Sequence, residues 1–311
     1  MLKTFLRPAM IFFPFLLGIC FPQAHILNGP PFFLVRRVLF IMVFLSCLQL
    51  DFSQLKPKRE HWMVLLLNIA MGVVPYFLLK LLFPERPVLA EAAFFVGITP
   101  TAAAAPVVVS FLNGRIGFAL TGFTITNLFI ALSLLILLPM ISGEISLGYI
   151  LNVAETLFQV IWLPFLLAVV LRKFFPALRT LPKKCKLFTF SLWSFTLFVM
   201  AAIARTHFSE HPEEPVVQVL LIGFVSLVIC VCNFLLGRIF SRKKYCRESS
   251  QILGQKNTNF TLFLALHYAG PLAAMGPIFY VLWHNSWNAW QMYSCDRRRI
   301  RRQRKICTED R

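Results

Sequence analysis

The chain has 311 residues, of which 58% are hydrophobic, 33 are Phe and only 14% are charged. Soluble domains carry nearer a quarter charged residues, so this composition excludes an ordinary soluble domain and points to an all-α polytopic membrane protein. The net charge of +18 then reports orientation in a bilayer rather than affinity for nucleic acid, because Lys and Arg gather on cytoplasmic loops.

A helix needs roughly 20 apolar residues to cross a bilayer. Ten such spans are predicted: 5–21, 31–50, 61–83, 87–112, 115–141, 147–171, 185–206, 215–237, 249–269 and 271–293. The first has the basic start and apolar middle of a signal peptide, but it lacks a small-x-small cleavage site and carries Pro8 and Pro14, so it reads as a retained helix. With the N-terminus in the cytoplasm and sides alternating, most of the 31 Lys and Arg fall at cytoplasmic ends, including Lys56, Lys58, Arg115, Arg172, Lys184, Arg242 and Lys244. Only Arg36, Arg37, Lys80, Arg86 and Arg205 fall outside, and both termini are then cytoplasmic. The basic tail, 294–311, is placed against anionic lipid. Eight Cys without a CxxC pair suit reduced thiols.

Two spans are interrupted. The fourth, "PVLAEAAFFVGITPTAAAAPVVVSFLNG", holds Gly97, Thr99-Pro100-Thr101 and Pro106 in mid-span. Pro100 has no N–H and its ring blocks the preceding turn, so the helix must kink or unwind there. The ninth, "SSQILGQKNTNFTLFLALHYAG", is broken by Gly254 and the run Gln255-Lys256-Asn257-Thr258-Asn259. Backbone groups freed at that depth must face protein or a watery cavity. An odd number of spans per half makes the second half cross in the opposite sense, which predicts a five-plus-five inverted repeat with broken, crossing fourth and ninth helices. Breaks at matching positions mark a transporter's binding site. Thr101 is expected to cap the second half of the fourth span, and Thr258 or Asn259 that of the ninth. Helix N-termini there, with the Lys256 charge, favour an anionic ligand. Glu91 and Glu155 are the nearest intramembrane carboxylates by depth, and either can pair with Lys256.

Asn68, Asn127 and Asn233 fall inside the third, fifth and eighth spans, where they either line a cavity or make the commoner interhelical hydrogen bond. Thr124 and Thr126 read in the same way. His284-Asn285 in the tenth span offers a proton relay, with a packing histidine as the plainer role. Trp283, Trp287 and Trp290 read as an interfacial anchor. No Walker loop, HExxH or Gly-x-Ser-x-Gly occurs, so neither an ATP-driven pump nor a hydrolase is expected. An intramembrane enzyme using Glu91, Lys256 and His284 finds no support in residue spacing, and a non-transporting receptor or scaffold is the non-catalytic alternative.

The stretches "FVGITPTAAAAPVVVSFLNGRIGFALTGFTITNL" (95–128), "ILGQKNTNFTLFLAL" (252–266) and "VLWHNSWNA" (281–289) resemble the bile acid:sodium symporter family of organic-anion transporters, in ten-helix bacterial form. The resemblance implies one transporter domain over 1–311, with a panel (5–50 and 147–206) moving against a core (61–141 and 215–293). It implies a bile-acid-like, steroid-like or small carboxylate substrate at the crossover, and the bacterial inner membrane as location. From the breaks and the polar run, substrate or ion contacts are expected at Thr99, Pro100, Thr101, Asn127, Gln255, Lys256, Asn257, Thr258 and Asn259, with Glu91, Asn68, His284 and Asn285 as counter-charge or cavity residues. The positions of the family's sodium ligands fall here on Ala70, Ala105-Pro106, Ala119, Phe123, Ile252 or Gln251, and Lys256. A hard cation needs several oxygen ligands, which these side chains do not offer. Lys256 is therefore read as a built-in cation in place of sodium. Proton coupling through Lys256 and residual sodium coupling remain the alternatives.

Overall fold

The computed structural model describes residues 13–28, 33–48, 55–210 and 216–309. Among these there is no strand. The helices are α1 (13–20), α2 (Phe33–Cys47), α3 (Arg59–Leu82), α4 (Pro87–Ile98), α5 (Ala105–Phe111) and α6 (Ile116–Ser142). They continue with α7 (Leu147–Phe174), α8 (Lys186–Glu210), α9 (Val216–Ile239), α10 (Cys246–Gly254), α11 (Thr258–Tyr268) and α12 (Pro271–Glu309). The first part of the first predicted span (5–12), and the ends of the second, lie outside the described residues.

Five helices, α3, α6, α7, α8 (over Leu187–His207) and α9, are long and apolar enough to cross a membrane. Their exposure is inverted relative to a soluble protein. Leu66, Leu81 and Ile136 are 66–78% exposed, whereas Asn68 and Asn233 are 0% exposed. Polar groups turned inward and apolar ones outward suit a hydrocarbon solvent, so the chain is an integral multi-pass membrane protein.

The fourth and ninth predicted spans are each two half-helices. α4 stops at Ile98 because Thr99, held extended before Pro100 (φ −48°, ψ 126°), cannot continue it. α5 restarts with Pro106 in its first turn, where the missing N–H is harmless. α10 ends at Gly254 and Gln255 turns extended (φ −85°, ψ 96°) before α11 begins. At 12 and 9 residues, α4 and α10 measure about 18 and 14 Å, too short to span a ~30 Å hydrocarbon core alone. Both α4 and α11 are buried along most of their length, as centre-of-bundle helices should be.

α4 packs against α3, α9, α11 and α12, while α2 lies on α7 and α8. The α3–α4 crossing is close enough that a Cβ built on Gly97 would lie 1.8 Å from the Met71 carbonyl oxygen. Small residues at such crossings let backbones approach in lipid.

The helix of the tenth span continues past 293, since α12 runs through Glu309 and the basic segment is helical. No Gly or Pro follows Pro277 to stop it. Its 39 residues measure about 58 Å, well beyond the hydrocarbon thickness. Trp283 and Trp287 are half-buried. Trp283 Nε1 donates to the Gly223 carbonyl (3.0 Å) and Trp287 stacks on Phe234, leaving Trp290 exposed.

Candidate functional site

The two breaks meet. Thr101 and Lys256 form an isolated antiparallel bridge, in which the Ala102 N–H donates to the Gln255 carbonyl and the Asn257 N–H to the Pro100 carbonyl, both at 2.8 Å. Backbone groups freed by both interruptions thus satisfy each other where lipid would leave them unpaired.

Side chains then occupy the carbonyls at the C-terminal ends of the two incoming half-helices. On α4, Phe95 accepts from Thr99 Oγ1 (2.6 Å), Gly97 from Lys256 Nζ (3.0 Å) and Ile98 from Asn68 Nδ2 (3.1 Å). On α10, Ile252 accepts from Thr101 Oγ1 (2.6 Å) and Gly254 from the Tyr280 hydroxyl (2.9 Å). Lys256, 1% exposed, also donates to Asn68 Oδ1. An ammonium at a helix C-terminus sits where the dipole and the orphan carbonyls favour a cation.

Lys256 forms no ion pair with a carboxylate among the described residues. The charged neighbour of Glu91 is Lys80. Glu155 is exposed and accepts from Gln159 Nε2 at 2.8 Å. Both expected counter-charges are therefore set aside. They share a depth range with Lys256, but the helix packing turns them elsewhere. The capping expectations change as well. α5 begins at Ala105, after a turn, so Thr101 is too early to cap it and closes α10 instead. α11 has Asn257, not Thr258 or Asn259, at its N-cap.

Thr101 is held from both sides, since Thr126 Oγ1 donates to its hydroxyl (2.8 Å) and Asn127 Nδ2 to its carbonyl (2.9 Å). Replacing it with valine orphans the buried Ile252 carbonyl. We expect Thr101→Val to cost about 1–3 kcal/mol, read as a lower unfolding temperature in detergent. An unchanged temperature would mean that another donor takes over that carbonyl.

Beside the crossover lies a cavity of about 750 Å³. One wall is apolar, with Leu39, Met42, Ile161, Phe165, Phe190 and Trp193 from α2, α7 and α8. The other carries Asn127, Gln255, Asn257, Thr258, Asn259, His284 and Asn285 from α6, the second break and α12. Asn68 and Gly97, which hold the ammonium of Lys256, are not among the lining residues. Lys256 itself borders the cavity, while its ammonium is bonded to Asn68 and Gly97 behind the lining. Asn259 and His284 are 2% and 4% exposed, and Asn259 Oδ1 and His284 Nδ1 have no hydrogen-bond partner. Both atoms are buried at the cavity's edge without a partner. Asn285 is spent on its own helix, donating to the Val281 carbonyl at 2.7 Å.

A scan of the chain against protein-family models gives no match, and a search of curated proteins gives none either.

One functional feature escaped the sequence reading. Gln255 Oε1 accepts from Asn288 Nδ2, while Gln251 Nε2 donates to Asn288 Oδ1 (3.1 Å) and to Gln291 Oε1 (2.6 Å). This buried amide chain ties α10 and the second break to α12. Its signal was present as the helical spacing of Tyr280, His284, Asn288 and Gln291, which puts one polar stripe on the first half of α12. Asn233 takes the plainer of its two expected roles, donating to the Tyr280 hydroxyl at 3.1 Å.

Proposed function

We propose that the chain is a secondary transporter of an organic anion, working by alternating access at the crossing half-helices, with Lys256 as a permanent cation in place of a coupling ion. The observation that carries this reading is Lys256 Nζ at the C-terminal end of α4, bonded to the Gly97 carbonyl and to Asn68 Oδ1. Broken helices in transporters commonly present such carbonyls to sodium or a proton. Here the α4 and α10 carbonyls already accept from Lys256, Asn68, Thr99, Thr101 and Tyr280, which leaves little for a sodium ion to bind.

The cavity supports the substrate class. An apolar wall suits a hydrocarbon body. The N-terminal end of α11, with N–H groups that its first turn leaves unpaired, suits a carboxylate or sulfonate. Bile-acid-like, steroid-like and small carboxylate anions all meet this description. In this reading ten spans form a five-plus-five inverted repeat. The panel of α1, α2, α7 and α8 moves against the core of α3–α6 and α9–α12, and both termini lie in the cytoplasm at a bacterial inner membrane. The packing of α2 on α7 and α8, and of α4 among α3, α9, α11 and α12, supports that division.

One detail favours a second reading, proton coupling. Two acceptors face Lys256 Nζ, and a neutral amine carries enough N–H bonds for both, so loss of a proton would not orphan either.

The test is uptake of radiolabelled organic anions into proteoliposomes, with sodium replaced by choline at two pH values. Uptake that is unchanged without sodium is the expected result, and a pH dependence on top of it selects proton coupling. Uptake that collapses without sodium overturns the role given to Lys256. Absence of uptake for every anion class, despite folded protein, overturns transport and leaves the receptor or scaffold.

A further inference from the structure

Away from the crossover, Tyr245 lies in the turn between α9 and α10 with its ring stacked on Phe118 of α6 (centroids 4.4 Å apart, 12° between planes). Three cations from three elements converge on that ring. Lys58 Nζ, before α3, is 4.7 Å from the ring centroid; the Arg115 guanidinium, before α6, is at 5.0 Å; and Lys244 Nζ, before α10, is at 5.6 Å. Lys58 Nζ also donates to the phenol oxygen.

The nearby carboxylates do not neutralise them. Glu60 pairs with Arg242 (3.3 Å), and buried Glu248 accepts the Arg115 backbone N–H (2.8 Å). Among the described residues, Lys58, Arg115 and Lys244 form no ion pair. One cation over an aromatic face is favourable, but three like charges about one ring repel each other unless an anion joins them. The same field, led by the Lys58 hydrogen bond and then by Lys244 and Arg115, holds the Tyr245 phenol below its ordinary pKa.

All three cations are exposed, and apolar side chains stand beside them in the chain. Trp62, Ile116, Ile239 and Phe240 are 42–68% exposed. Positive charge bordered by lipid-facing apolar surface is the setting in which headgroup phosphates bind. We propose that Lys58, Arg115 and Lys244 form a binding site for the phosphate of an anionic phospholipid, seated over Tyr245. The site ties the starts of α3, α6 and α10 together at the base of the half-helix that leads into the crossover. It is separate from the basic end of α12 and independent of what the protein transports.

The experiment is thermal unfolding of the full chain in detergent, titrated with short-chain phosphatidylglycerol, phosphatidylcholine or inorganic phosphate. Phosphatidylglycerol is expected to raise the unfolding temperature and phosphatidylcholine to leave it unchanged. Lys58→Gln and Lys244→Gln should each weaken the apparent phosphatidylglycerol affinity about fivefold, the usual effect of one basic residue at an anionic surface. Lys58→Arg, which keeps the charge, should retain the response. The control Lys173→Gln/Arg179→Gln removes two exposed charges elsewhere and should respond as the unaltered chain does. An undiminished response in the Lys58→Gln and Lys244→Gln variants, or an equal loss in the control, overturns the site. An equal rise with millimolar inorganic phosphate overturns the assignment to lipid. Because no transport is measured, failure here leaves the transport reading untouched.

Discussion

Lys256→Met is expected to destabilise the protein by about 2–5 kcal/mol and to lower uptake at least tenfold. Methionine has nearly the reach of lysine and fills the same space, so little packing is lost. What is lost is the donor. Asn68 Oδ1 and the Gly97 carbonyl, both deep in the bundle, would each be left without that partner. A buried acceptor orphaned in this way costs about 1–3 kcal/mol, and two are involved. The effect on uptake should exceed the effect on folding, because the lost charge also faces the C-terminal end of α4 and helps fix the angle at which the half-helices cross. Thermal unfolding and proteoliposome uptake, measured together, separate the two. Asn68→Ala provides the comparison. It removes one acceptor of Lys256 and leaves the Gly97 bond, but it also takes the Nδ2 donor from the Ile98 carbonyl, so its cost should be comparable, and the double variant should be less than additive. If Lys256→Met melts and transports like the unaltered protein, the ammonium is dispensable and the stand-in reading falls.

Gly97→Ala is expected to prevent folding or to cost at least about 3 kcal/mol. The added Cβ would lie 1.8 Å from the Met71 carbonyl oxygen and 2.6 Å from the Gly72 nitrogen. Both are backbone atoms of α3, so no side chain can rotate away, and the two helices would have to separate. Overpacking in a dense interior usually costs about 1–3 kcal/mol, and a clash of backbone with backbone lies at the upper end or beyond. Separation would also move the Gly97 carbonyl away from Lys256. The measurement is the yield of monodisperse protein on size exclusion, followed by its unfolding temperature. Gly117→Ala serves as the control, because no atom lies within 4 Å of the added Cβ there. Equal yields for the two variants would mean that α3 and α4 yield more easily than their packing suggests.

Much of this architecture could be read from the chain alone, for local reasons. Apolar runs, the Pro100 break and the polar run after Gly254 are statements about backbone hydrogen bonding and solvation, which depend on a residue and its neighbours along the chain. That is why the interruptions of the fourth and ninth spans were placed correctly and why Lys256 stood out. That Asn127, His284 and Asn285 join the polar run of the second break at one cavity depended on packing.

Partnership was another matter, because it depends on how helices rotate and cross. The apolar pattern of α4 is the same on every side, so nothing in its sequence says which face meets α3. The close approach at Gly97, which gives Lys256 an acceptor on α4, arises only from that contact. Glu91 and Glu155 matched Lys256 in depth yet turned to other partners, because depth is set by position along the chain and direction by packing. Thr101 was read as the start of a helix and proved to close the end of another, α10, which lies 151 residues away in sequence. Composition, spans and breaks were thus settled by the order of residues along the chain. Which donor meets which acceptor, and which groups take the Lys256 ammonium, emerged only when the half-helices were packed, since hydrogen bonds across a bundle depend on ångström-scale geometry that no local pattern encodes.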